Sequence, residues 1–349
     1  MVRPMEAPWP MSVRVRLAWR PWTRRRSWPI CSEVMGMARA QAEEKRGVVL
    51  ALGSGGARGI AHLGVIRVLA RHGIPVRAVI GSSIGAQIGA LLAAGVSVEE
   101  LLRLACGVDW KTTIRLFMPE FGKGGVIADR GIREFLEPYL GTHEIQSLSI
   151  GYAAVAADLA SGEEVIIRRG NLLEAVRASI SIPGLLRPAI QGARILVDGG
   201  LVNPVPFDRA RELFGGPVLA VAVHPGAFKF ELPGETSVPD WRDRIEDLLR
   251  QSVVRKWPQL RKLLDDWDRN GDEEALPDLG ASGIYNRAMD ISRAQLMRLR
   301  LKLAPPDILL TPNVQGIGML EFYRADEALA AGMREAKAHL AQIKALLRQ

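Results

Sequence analysis

The sequence predicts an α/β fold, a central, mostly parallel sheet with helices on both faces. Three observations predict it. Short apolar runs alternate with stretches of helical periodicity along most of the chain. Glycine-rich turns stand directly after the first two runs, at 53–59 and 81–85. The 349 residues, 48% hydrophobic and 24% charged, are ample for a sizeable core.

The elements read in order as follows. Val48–Leu52 is a strand, and Gly59–Arg71 a helix whose Ile60, Leu63, Val65, Ile66, Val68 and Leu69 gather on one side. Ala78–Ile80 is a second strand, followed by Gly81–Gly85 and a helix of small and apolar residues to Ala94. Helical patterns cover 98–106 and 129–139. Tyr152–Asp158 and Glu164–Arg168 are strands joined by a turn at Ser161-Gly162. Ile195–Val197, Val218–Val223 and Asp307–Leu310 are further strands, and Phe322–Leu347 is a closing helix. In such a fold function belongs at the C-terminal ends of the strands.

The formal charge of +8 suggests nucleic acid or an anionic membrane until its location is examined. Residues 1–46 hold ten Lys/Arg against four Asp/Glu, so six of the eight units lie there and the body is near neutral. The same stretch holds Trp9, Trp19, Trp22 and Trp28 and five prolines, with no helical or strand period. It reads as a disordered basic extension, with adhesion to anionic lipid or nucleic acid through Arg and Trp as the sharper reading. Arginines interrupt every apolar run, so neither a secretory signal, with its apolar stretch of roughly 7–15 residues, nor a membrane span is expected. The two cysteines, Cys31 and Cys106, form no disulfide framework, which points to a reducing, cytoplasmic compartment. Nucleic-acid binding would rest on total charge alone and is not expected.

Gly81-Ser82-Ser83-Ile84-Gly85 satisfies G-x-S-x-G in one register only, with Ser83 central. A strand before and a helix after are the context of a nucleophile elbow, where small residues allow the sharp turn and the helix N-terminus favours developing negative charge. Gly53-Ser54-Gly55-Gly56-Ala57-Arg58-Gly59 is the second signal. A dinucleotide fingerprint would need glycine at 58 and an acidic residue about 20 positions on; Arg58 stands at 58 and residues 71–85 contain no acid. A P-loop would need Gly-Lys-Ser/Thr, which is absent. An oxyanion hole, in which glycine amides converge on a small anion, suits the loop. The base for Ser83 has two candidates. His224 is the one histidine at a strand end, and Asp198-Gly199-Gly200 directly follows Ile195-Leu196-Val197. A carboxylate serves only if the site is dry enough to raise its proton affinity, or if proton transfer accompanies attack.

The order of these signals resembles the patatin-like phospholipase family in its bacterial branch. The likeness extends to Ala178-Ser179-Ile180-Ser181-Ile182-Pro183-Gly184 with Pro188, to Pro305-Pro306-Asp307 through Ile317-Gly318, and to Phe322-Tyr323-Arg324-Ala325. It covers about Val48 to Ala336, and departs from the family's frequent three-glycine run at Ser54. The resemblance implies a three-layer α/β/α sandwich and a Ser83–Asp198 dyad, with Ser83 as nucleophile and Asp198 as base. It also implies an oxyanion hole from the amides of Gly55, Gly56 and Ala57, with Arg58 shaping the loop. Gly53, Gly59, Gly81, Gly85 and Gly199 support loop and elbow. The implied activity is hydrolysis of a lipid acyl ester, of the phospholipase A or lysophospholipase kind, with no cofactor and no metal. The implied partner is the lipid itself, with peripheral membrane contact as a further expectation.

The domain reading that results is an extension over 1–46, a catalytic core over 47–225, a helical cap or variable insertion over 226–304, and a last strand and closing helix over 305–349. Within the insertion, Trp241, Ile245, Leu248, Leu249 and Val253 follow helical spacing, Pro258 starts a short helix to Trp267, and Gly271–Gly283 reads as a loop. The alternative to an enzyme is a non-catalytic signalling or scaffold protein on the same fold. Retention of both Ser83 and Asp198 argues against it.

Overall fold

The computed structural model describes residues 47–116, 120–122, 125–127, 130–223 and 280–348. The basic extension, His224 and the two helices expected over 241–267 lie outside the described residues.

Strand β1 (Val48–Leu52) explains the layering. Successive side chains on a strand point to opposite faces. Val48, Leu50 and Leu52 join a core shared with helix α1 (Ala61–Arg71), whereas Val49 and Ala51 join a second core. All five are fully buried, so both faces of the sheet must be covered. The second core is closed by Phe207 and Ala210 of a helix at Phe207–Phe214 and by Met297 and Leu301 of a long helix at Gly280–Leu303. The result is helices on both sides of one sheet, the three-layer arrangement expected.

Along the chain, β2 (Val76–Ser82) leads into α2 (Ile84–Ala93), then α3 (Val98–Cys106) and α4 (Trp110–Leu116). A small antiparallel pair follows, β3 (Glu120–Gly122) with β4 (Gly125–Ile127), and then α5 (Arg130–Leu140). The main sheet resumes with β5 (Gly151–Asp158) and β6 (Glu164–Ile167), separated from β7 (Ala189–Gln191) and β8 (Arg194–Asp198) by α6 (Leu172–Ser179). The helix at Phe207–Phe214 is α7, β9 is Val218–Val221, the helix at Gly280–Leu303 is α8, and β10 is Ile308–Leu310. The sheet order is β10-β9-β1-β2-β5-β8-β7, with β6 also paired to β5. β10 through β5 are mutually parallel; β6, β7 and β8 join antiparallel.

Several boundaries differ from the sequence reading for identifiable reasons. The helix expected from Gly59 begins as a 3-10 turn, Gly56–Ile60, because the glycine loop occupies its start. The expected single closing helix is a 3-10 turn at Phe322–Arg324, α9 (Ala325–Ala338) and α10 (Leu340–Leu346). The break is at His339, where the backbone is at φ −98°, ψ 4° and the imidazole Nδ1 lies 3.1 Å from the Glu335 carbonyl. The loop expected over Gly271–Gly283 gives way to α8 from Gly280. Helix α6, absent from the sequence reading, starts at an N-cap, where the Asn171 side chain accepts the Glu174 amide at 3.1 Å. Among the described residues no helix is long and apolar enough to cross a membrane.

Candidate active site

Strand register brings the sequence-predicted residues together. Leu52 at the end of β1 is level with Gly81 on β2. On β5, Val155 is level with Ser82 and the next residue, Ala156, is level with Asp198. Ser83 and Asp198 therefore emerge side by side at one edge of the sheet, although 115 positions separate them.

Ser83 sits between β2 and α2 at φ 55°, ψ −124°, and is the one non-glycine residue with positive φ among the described residues. Such a conformation costs on the order of 1–3 kcal/mol and persists only where its surroundings impose it. The surroundings here are close backbone. A Cβ on Gly85 would lie 2.2 Å from the Leu52 carbonyl oxygen, so α2 reaches β1 only with glycine at that position. Gly81 is similarly enclosed by Gly85 and Ala86. The Ser83 amide is donated to Ser179 Oγ at 3.0 Å, and that hydroxyl donates to Val155 O at 2.5 Å. The turn is thereby tied to β5.

The Ser83 hydroxyl donates to Asp198 Oδ2 at 2.5 Å. The other carboxylate oxygen, Oδ1, accepts the Gly200 amide at 2.7 Å, and the Asp198 amide is donated to Ser181 O at 2.9 Å. Gly199 packs against Val155 and Ser82 at the same turn. Asp198 is 1% exposed. Burial raises its pKa, while the Arg293 charge and the hydrogen bonds from Ser83 and Gly200 act in the opposite direction. A buried carboxylate with raised proton affinity, touching a serine hydroxyl, has the chemistry required of a proton acceptor.

The glycine loop lies beside this pair. Gly53 and Ser54 donate their amides to Val221 O and Pro204 O, which fixes the loop's entry. Gly56 adopts φ 59°, a conformation glycine enters without strain. The Gly55 and Gly56 amides have no backbone acceptor among the described residues, as an anion-binding loop requires. The Ala57 amide departs from expectation. It is donated to Met319 O at 2.8 Å and so serves the loop's attachment to the C-terminal segment. Gly59 packs its Cα face on Ile84. Arg58 donates from Nε to Ile317 O at 2.7 Å and pairs with Asp290 of α8 at 2.9 Å.

Sequence reasoning did not single out His62, Asp290 or Arg293, and it gave Ser179 and Ser181 no individual role within the block that carries the resemblance. Fully buried His62 has Nε2 2.8 Å from Gly53 O and is depressed by burial to a pKa of about 4, so it is neutral near pH 7 and anchors the loop as a hydrogen-bond donor. Its signal was position, ending the first helical turn after the glycines. Asp290 and Arg293 carried no local signal, because they reach the site from a remote helix.

An apolar cavity of about 90 Å³ lies among the helices on this face of the sheet. Its lining includes Ile60 and Ile84, neighbours of the loop and of Ser83, and continues through Ile88, Leu101, Ala105 and Phe322. Among the described residues no group of three or more His, Cys, Asp or Glu is placed to hold a metal ion.

A strand-to-helix serine turn, a buried aspartate and a glycine loop on a mostly parallel sheet define a hydrolase-like α/β class, and comparison with known proteins narrows it. A model described as patatin-like phospholipase matches residues 50–211. An uncharacterized NTE family protein of Mycobacterium tuberculosis H37Rv is 31% identical over 322 residues, covering 82% of this chain and 89% of that protein. Lysophospholipase NTE1 of Pyricularia oryzae is 27% identical over 299 residues, covering 83% of this chain but 18% of that much longer protein. Among solved structures, VipD from Legionella pneumophila matches with a TM-score of 0.42 and 14% identity, over 85% of this chain and 67% of that one. The chain belongs to the patatin-like phospholipase family, a family of lipid hydrolases.

Proposed function

We propose that the protein is a serine acyl-ester hydrolase of lipids, phospholipase A or lysophospholipase in type, in which Ser83 is nucleophile and Asp198 is base. The observation that carries this reading is the 2.5 Å hydrogen bond from Ser83 Oγ to Asp198 Oδ2 at a strained strand-to-helix turn. As Ser83 attacks the ester carbonyl, its proton passes to Asp198 and the carbonyl oxygen becomes an oxyanion. The Gly55 and Gly56 amides receive that oxyanion, each donor of this kind being worth roughly 3–4 kcal/mol in the transition state. Collapse expels the alcohol, which takes the proton from Asp198. Water then attacks the acyl-serine with Asp198 again as base, and the proton passes from Asp198 to the departing Ser83 oxygen as the fatty acid is released. The cavity beside Ile60 and Ile84 supports an apolar acyl chain in the substrate.

The test is hydrolysis of p-nitrophenyl esters and of lysophospholipid by the purified chain, together with fluorophosphonate labelling located by mass spectrometry. Turnover and an adduct on Ser83, both lost in Ser83→Ala, support the reading. Turnover that survives Ser83→Ala overturns the mechanism, and a folded wild type without turnover or label favours the scaffold alternative.

A further inference from the structure

Helix α8 lies wholly outside the segment matched by the family model, yet it meets both halves of the candidate site. Toward the glycine loop, Asp290 Oδ2 holds Arg58 Nη1 at 2.9 Å, and the pair is almost withdrawn from solvent, at 10% and 12% side-chain exposure. Toward the aspartate, α8 packs on the Gly199–Leu201 turn, and Arg300 Nη2 donates to Val202 O at 3.1 Å. Between these anchors, one helical turn from Asp290, stands Arg293 at 6% exposure. Its Nη1 is 3.7 Å from Asp290 Oδ1, too far for a hydrogen bond, and its Nε has no acceptor among the described residues. A buried guanidinium so loosely paired to its nearest carboxylate keeps much of its field for other neighbours.

We infer that Asp290 and Arg293 are positioning residues for the acyl-transfer site, Asp290 by holding Arg58 and with it the glycine loop, Arg293 by setting a buried positive charge against Asp198. The inference rests on the Ser83–Asp198 reading and adds to it the source of the base's ionisation. Asp198 meets the Ser83 hydroxyl from the elbow, the Gly200 amide from its own turn and the charge of Arg293 from α8, and Arg293 in turn neighbours Asp290, which pairs with Arg58. Burial favours the protonated carboxyl, the form that cannot accept the serine proton; the Arg293 charge favours the ionised form. Asp290, being negative, moderates that charge. The two neighbours therefore act on Asp198 with opposite sign, which a purely structural role for α8 would not produce.

The experiment is the pH dependence of kcat/KM on p-nitrophenyl butyrate for the full chain and for Arg293→Met, Arg293→Lys and Asp290→Asn. Arg293→Met is expected to move the acidic limb up by on the order of one pH unit, and Arg293→Lys to restore it. Asp290→Asn is expected to move the limb down while raising KM through the loosened loop. Acidic limbs that coincide with wild type, or that move together in one direction, overturn the inference. The carboxyl 13C resonance that disappears in Asp198→Asn supplies a readout independent of turnover. Its titration should rise in Arg293→Met and fall in Asp290→Asn. Absent turnover in a folded wild type overturns the hydrolase reading, whereas an unmoved Asp198 titration overturns this inference.

Discussion

Replacing Asp198 by asparagine should cost activity and return stability, and the two effects separate by pH. The shape is retained and the charge removed. With the amide oxygen kept on the Gly200 N–H, the amide nitrogen faces Ser83, whose hydroxyl then loses its proton acceptor. Loss of a general base lowers rate by roughly 10²–10⁴-fold, or about 3–5 kcal/mol. Stability follows from linkage. The folded pKa of Asp198 is raised above its ordinary 3.8, chiefly by burial. At low pH both folded and unfolded chains hold the proton. As pH rises past about 4 the unfolded chain releases it first, so the wild type loses stability until the folded pKa is passed. Each unit of that rise corresponds to about 1.4 kcal/mol. The asparagine variant has no such loss, so its stability relative to wild type should climb with pH and then level off. The mismatched amide adds a pH-independent penalty of about 1–3 kcal/mol, which shifts the curve without changing its slope. Urea unfolding of both proteins from pH 4 to 8, beside initial rates, measures this. A relative stability flat across that range, or activity within tenfold of wild type, would refute the assignment of Asp198 as a buried, destabilised base.

Three further outcomes are expected. His62, lowered from 6.5 to about 4 by burial, makes the fold lose up to about 3 kcal/mol as pH falls from 6.5 to 4; His62→Gln should flatten that part of the curve in urea titrations, and an unchanged slope would count against a buried neutral ring. Gly85→Ala places a Cβ 2.2 Å from Leu52 O and should destabilise by about 1–3 kcal/mol, with activity falling further than stability because the elbow and the glycine loop are displaced together; calorimetry with ester assays on the same samples decides it. Ala105→Trp should fill the apolar cavity and shift preference toward short acyl esters while leaving acetate ester turnover near wild type; an unchanged chain-length profile would place the acyl chain elsewhere.

Much of the candidate site is legible in the chain because its parts are local. A strand, a G-x-S-x-G turn and a following helix can be recognised within ten residues, and Val48–Leu52, Ser83 and Asp198 stand where their flanking patterns indicate. Ala57 shows the limit. Its amide looks equivalent to those of Gly55 and Gly56 until Met319, 262 positions later, claims it. The edge strand β7 was unread because Ala189–Gln191 is three residues long, two of them exposed, and shows no apolar alternation to detect.

The sequence by itself determined the layering, the serine elbow, the glycine loop and the family, because periodicity, turn glycines and motif spacing act over short stretches of chain. Only the tertiary structure decided which side chain the Ser83 hydroxyl meets, which loop amides lack a backbone acceptor among the described residues and what charge neighbours Asp198. Those depend on strand register and on a helix arriving from residues 280–303. Burial and long-range electrostatics are properties of the packed chain, and no local pattern encodes them.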